Sequence, residues 1–109
     1  MHPNEYQNEC LRTAGEAHHP VDRTVMTALG IAGEAGEYVD MVKKAVYHGH
    51  ALDREKALLE LGDILWYVAV AAHERGATLD VVMAKNIDKL RRRYPAGFSH
   101  EASLQRAEA

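Results

Sequence analysis

A chain of 109 residues is long enough for one domain with one modest core, and a second copy of itself would add burial that so small a core lacks. With 47% hydrophobic and 27% charged residues it has the balance of a soluble globular protein, and a formal charge of −3 does not suggest a nucleic-acid binder. Its longest apolar run, residues 64–72, falls well short of the roughly 20 residues of a membrane span.

No basic start followed by an apolar stretch marks a signal peptide, and the one cysteine, Cys10, cannot form an internal disulfide. A cytoplasmic protein, with neither nucleic acid nor membrane as partner, is expected. The three prolines, Pro3, Pro20 and Pro95, fall where they punctuate helices rather than interrupt them.

Helical spacing of Tyr6, Cys10, Ala14 and Ala17 predicts a first helix over residues 4–17, ended by His-His-Pro. A second is predicted over 22–48, with Asp22 as N-cap and Gly49 as the stop, and an apolar face of Val25, Ala28, Leu29, Ala32, Val39, Val42 and Val46. The third follows the N-cap candidate Asp53 and ends at Gly76, its stripe being Leu58, Leu61, Leu65, Val68, Ala69 and Ala72. The fourth runs from Thr78 through Val81, Val82, Ala84, Ile87 and Leu90 to Tyr94-Pro95. Nothing alternates with period two for long enough to make a strand. Short connections between long helices favour antiparallel neighbours, so the expected fold is all-α, an antiparallel four-helix bundle over residues 1–98, with 99–109 a short polar tail. Around Ile64-Leu-Trp-Tyr-Val the third helix is apolar on nearly every side, more than a small bundle covers, which points to a homodimer or a dimer of dimers.

The second helix contains an anomaly, Gly33-Glu-Ala-Gly-Glu37. A helix-interior glycine costs roughly 1 kcal/mol relative to alanine, and acids three apart share a face and repel. Glu34 and Glu37 lie about 60° apart on the helix, with the two glycines placed where another helix would approach closely. The third helix repeats the device in Glu60-Leu-Gly-Asp63, and the 22 residues between Glu37 and Glu60 suffice to finish one helix, turn, and return antiparallel. Four carboxylates meeting between two helices repel strongly unless a cation sits among them. A hard divalent ion fits oxygen ligands, Mg²⁺ first with Mn²⁺ as substitute, whereas zinc prefers histidine or thiolate. A ferritin-like di-iron centre needs Glu-x-x-His on two helices, and the only such spacing, Glu16 to His19, abuts Pro20.

Glu-x-x-Glu, a gap, then Glu-x-x-Asp resembles the signature of the all-α nucleoside triphosphate pyrophosphohydrolases, the superfamily of MazG, the dimeric dUTPases and phosphoribosyl-ATP pyrophosphohydrolase. The chain looks most like a single-domain MazG-like protein through LGIAGEAGEYVDMVKK, ELGDILWYVA and KNIDKLRRRYPAGF, a likeness covering residues 5–98. The resemblance implies a hydrolase that cleaves a (d)NTP between its α and β phosphates, releasing (d)NMP and pyrophosphate as nucleotide-pool house-cleaning. It also implies that Glu34, Glu37, Glu60 and Asp63 hold Mg²⁺. One carboxylate not fully engaged by the metal would act as base, Glu37 before Glu34. Lys85, Asn86, Lys89 and Arg93 share one side of the fourth helix and look like the family's phosphate-contacting cluster. Tyr67, four residues past Asp63, would reach a phosphate, while Arg91 and Arg92 read as a solvated basic face and Trp66 as core or interface. Two other readings stay open: a catalytically silent helical module that binds nucleotide or protein, and an enzyme of the phosphoribosyl-ATP pyrophosphohydrolase kind.

Overall fold

The computed structural model describes residues 1–16 and 19–105, whose elements are five helices: α1 (Pro3–Thr13), α2 (Pro20–Tyr47), α3 (Arg54–Glu74), α4 (Leu79–Arg93) and α5 (His100–Leu104). The described residues contain no strand, only an isolated bridge between Pro95 and Gly97, so the all-α expectation holds. Both α1 and α2 open on His-Pro. The imidazole Nδ1 of His2 accepts from the Asn4 amide and that of His19 from the Val21 amide, each at 3.1 Å, with proline in the first turn where its missing N–H is not needed. His19 therefore caps α2, not Asp22, and α1 ends four residues before Ala17, which with His18 lies outside the described residues. Asp53 caps α3 as expected, its carboxylate accepting from the Glu55 and Lys56 amides. Gly49 and Gly76 end α2 and α3 in the left-handed conformation, at φ of 74° and 73°. The tail is not all irregular: Ser99 Oγ accepts from the Ala102 amide at 3.0 Å and starts the short α5, while 106–109 lie outside the described residues.

The central helix is α3. It runs antiparallel to α2, since Arg23 near the start of α2 pairs with Glu74 at the end of α3 at 3.3 Å and Arg75 donates to Thr24 at 3.0 Å. On its other side α3 packs against α1 and α4. There the core forms from Cys10, Ala69, Val70 and Leu79, flanked by Tyr6, Leu11, Ala14, Trp66 and Val68. The buried Gln7 amide fastens the three helices together. Its Nε2 donates to the Ala69 and Ala77 carbonyls at 3.0 and 3.1 Å, and its Oε1 accepts from the Leu79 amide at 3.1 Å, satisfying backbone groups at the α3–α4 corner.

The side of α2 that meets α3 is a seam of Thr27, Ile31, Glu34, Tyr38, Met41 and Ala45, spaced alternately four and three residues apart and buried or half-buried. The apolar face expected from the spacing, Val25 to Val46, is not this seam: none of its residues lies on it, and the face falls on a second row turned away from α3. Val25, Leu29, Val39 and Val46 of that second row are exposed, Leu29 by 69% and Val39 by 63%. Leu58, Leu61 and Leu65 of α3 and Val81, Ile87 and Leu90 of α4 are exposed as well. The result is an open arrangement, with a radius of gyration of 16.9 Å against roughly 13 Å for a close-packed chain of this length.

The glycines correct one expectation. A Cβ at Gly33 or Gly36 meets nothing within 4 Å inside the chain, so neither admits α3; Gly30 does, because a Cβ there would run into the Tyr67 ring. Gly30→Ala tests the seam. Alanine gains about 1 kcal/mol of helix propensity, but moving the ring costs about 1–3 kcal/mol of overpacking. The variant is expected to unfold at lower urea than the parent, and Gly30→Ala combined with Tyr67→Ala to show a favourable coupling in a double-mutant cycle.

Candidate metal centre

Antiparallel pairing of α2 and α3 carries Glu34 opposite Asp63 and Glu60. One carboxylate oxygen from each of these three residues lies within 4.8 Å of the other two. Glu34 and Glu60 are half-buried and Asp63 is exposed, so the group lies at the mouth of the interhelical seam. Glu37 is placed differently. It is exposed, one turn along α2 and outside the group of three, yet near enough to add to the field on Glu34. The rotation between positions three apart accounts for this: Glu34 falls on the α3 seam and Glu37 beside it.

Electrostatics mark the group as strained. Partial burial first, then the charges of Asp63, Glu60 and Glu37, hold the Glu34 carboxyl above the ordinary carboxylate range. Glu60 Oε2 is buried and has no hydrogen-bond partner. A carboxylate oxygen shut away from water without a donor is costly, and a neighbouring carboxylate only adds to the cost. The nearest lysines on α2 do not relieve it, for Lys43 and Lys44 pair with Asp40 at 3.4 and 2.8 Å. Three oxygen donors, one orphaned, with no histidine or thiolate among them, fit a hard divalent cation such as Mg²⁺ or Mn²⁺.

Beside this group lies a cavity of about 300 Å³ lined by Glu34, Asp63, Trp66 and Tyr67. Tyr67 enters it over Gly30, and Trp66 stands against the Tyr67 ring in a T-shaped pair with centroids 4.9 Å apart. The indole Nε1 donates to Thr13 Oγ1 at 2.8 Å. Trp66 therefore belongs both to the core margin and to the site. Spacing on α3 holds the signal: Trp66 and Tyr67 follow Asp63 by three and four residues, one turn on, though spacing alone leaves core and site readings open.

The basic cluster stands elsewhere. A groove of about 570 Å³ along α4 is lined by Val82, Lys85, Asn86, Asp88, Lys89 and Arg92, and none of these residues lines the acidic cavity. Lys85, Asn86 and Lys89 are together as the spacing implies. Arg93 is half-buried and does not line the groove, whereas Arg92, one helical step from Lys89 at i+3, does.

The MazG nucleotide pyrophosphohydrolase domain profile matches residues 24–98, from the first turns of α2 to the end of the Tyr94-Phe98 segment. The chain belongs to the MazG family. Its acidic group, cavity and α4 groove all lie within the matched segment. A relative, the Gene 37 protein of Mycobacterium phage L5, is 36% identical over 73 residues, which is 63% of this chain and 64% of that protein, so the chain spans a little under two thirds of that relative's length. No solved structure gives a significant match. Among the described residues no helix is long and apolar enough to cross a membrane.

The raised Glu34 carboxyl has a definite consequence for stability. A carboxyl that binds its proton more tightly in the folded chain contributes stability that is fully present below its unfolded value and is lost as pH rises through its folded value. In EDTA, the melting temperature of this MazG protein is expected to fall as pH rises through the Glu34 titration, and Glu34→Gln to remove that fall and melt higher than the parent at pH 7. Mg²⁺ should raise the melting temperature of the parent more than that of the variant; differential scanning fluorimetry across pH measures both.

Proposed function

We propose that the chain is a Mg²⁺-dependent nucleotide pyrophosphohydrolase that cleaves a (d)NTP between the α and β phosphates, giving (d)NMP and pyrophosphate, and that it clears surplus or non-standard nucleotides from the cytoplasmic pool. The observation that carries this reading is the convergence of Glu34, Glu60 and Asp63 with Glu60 Oε2 orphaned, in a chain of the MazG family. These three residues would hold Mg²⁺, or Mn²⁺ in its place, with Glu37 at the open side. When bound, such a cation supplies charge neutralisation for the polyphosphate and acidifies water for attack. Glu37, exposed and outside the group of three, takes the proton of the attacking water, and Glu34 orients it from the seam. Tyr67 offers its hydroxyl to a phosphate at the cavity wall.

Lys85, Asn86, Lys89 and Arg93 complete the phosphate clamp in this reading, joined by Arg92. In this reading the site joins α2 and α3 of one subunit to α4 of another, in a homodimer or a dimer of dimers, supported by a basic groove that shares no lining residue with the acidic cavity. The exposed row on α2 supports that assembly, because burying each of Leu29, Val39 and Val46 contributes about 1.5–3 kcal/mol.

Pyrophosphate release from a panel of standard and damaged nucleotides tests the reading. With Mg²⁺ the parent is expected to turn over at least one of them, and Glu37→Gln and Asp63→Asn to lose at least about a hundredfold in rate while keeping the parent's circular dichroism. A parent that releases no pyrophosphate from any of them contradicts it.

A further inference from the structure

We infer that Trp66 is the surface on which the site reads a nucleobase, so that it distinguishes a nucleotide from a bare polyphosphate. This rests on the reading of the acidic group as a triphosphate site, and adds to it the part of the substrate that the carboxylates cannot recognise.

Four observations place the indole there. Trp66 lines the same cavity as Glu34 and Asp63. It stands three residues beyond Asp63 on α3, about 4.5 Å along the axis, which leaves room for phosphates at the carboxylates and an organic group at the ring. It is half-buried, unlike the Ala69 and Val70 that follow it on α3, which are fully buried. Finally, it is held from both edges: Nε1 is bonded to Thr13 Oγ1, whose hydroxyl in turn donates to the Cys10 carbonyl at 3.0 Å, and the ring abuts Tyr67, which is seated over Gly30. The indole is thereby fixed by α1 on one side and, through Tyr67, by α2 on the other.

Packing against the core does not itself call for an aromatic face open to the cavity of Glu34 and Asp63. A rigid, flat, apolar ring next to a phosphate-binding site suits a flat heteroaromatic, which it takes by stacking at little cost in ordering. Every base presents a π-face, so this contact separates nucleotides from inorganic phosphates rather than one base from another. Its ring nitrogen is already committed to Thr13, which leaves no donor on the indole to read a base edge. Thr13 is a positioning residue on this account.

Trp66 is the sole tryptophan of the chain, so its emission reports on this position alone. Titrating the full-length protein in Mg²⁺ with an α,β-methylene nucleoside triphosphate should quench that emission saturably, while inorganic tripolyphosphate, binding at the same carboxylates, should not. Trp66→Ala should raise KM for a nucleotide substrate by about tenfold, the scale of one lost stack, with kcat nearly kept, and Trp66→Phe should restore KM to within about threefold. Thr13→Val should shift the emission maximum and raise KM less than Trp66→Ala does. Pyrophosphate release with an unchanged KM in Trp66→Ala, or calorimetric binding of the analogue with no change in wild-type emission, overturns the role of Trp66 and leaves the pyrophosphohydrolase reading standing. The wild-type emission test remains decisive if Trp66→Ala does not fold. Failure of the analogue to bind at all defeats both.

Discussion

Repulsion among Glu34, Glu60 and Asp63, held together by the antiparallel register of α2 and α3, is the constraint on which the rest of the structure turns. Apolar seam contacts, the Arg23–Glu74 pair and the fit of Tyr67 over Gly30 fix that register, and the register in turn forces three carboxylates into one small volume. The packing thus stabilises an arrangement that electrostatics oppose. Such opposition between packing and charge is characteristic of sites that take a counter-charge from a ligand, and the buried Glu60 Oε2 has no hydrogen-bond partner of its own.

The site is assembled from short, rigid pieces. Asp63, Trp66 and Tyr67 occupy one turn and a little more of α3, so the spacing from carboxylate to aromatic wall is set by helix geometry and not by loops. Gly30 matters because it lets the Tyr67 ring pack close against α2; any side chain there would displace the wall of the cavity and move it relative to Asp63. Gln7 secures the α3–α4 corner and so sets the direction in which α4 carries its basic groove.

Much of this was legible in the sequence because it depends on local periodicity. The paired acids at i and i+3, the caps at Asp53, the glycine stops at 49 and 76 and the helix count through α4 all follow from spacing and backbone chemistry. What was not legible depends on rotation about a helix axis and on partners distant in the chain. Glu34 and Glu37 look equivalent until α3 is placed, when one falls on the seam and the other beside it. Gly33 and Gly36 look like the points of close approach, yet the ring that needs space arrives at Gly30, one turn earlier, from a residue 37 positions away. The apolar residues of α2 look like one face because hydropathy does not tell a seam filled by α3 from a row left open to solvent. Residues 99–109 look like a polar tail because a five-residue helix has too few turns to show a period.

The central claim is that a divalent cation belongs among Glu34, Glu60 and Asp63. Anomalous diffraction at the manganese edge from crystals grown with Mn²⁺ measures this directly. The account predicts an anomalous peak bounded by oxygens of these three carboxylates, including Glu60 Oε2, at ordinary metal–oxygen distances. A well-ordered site with the three side chains turned apart and no peak between them would contradict it.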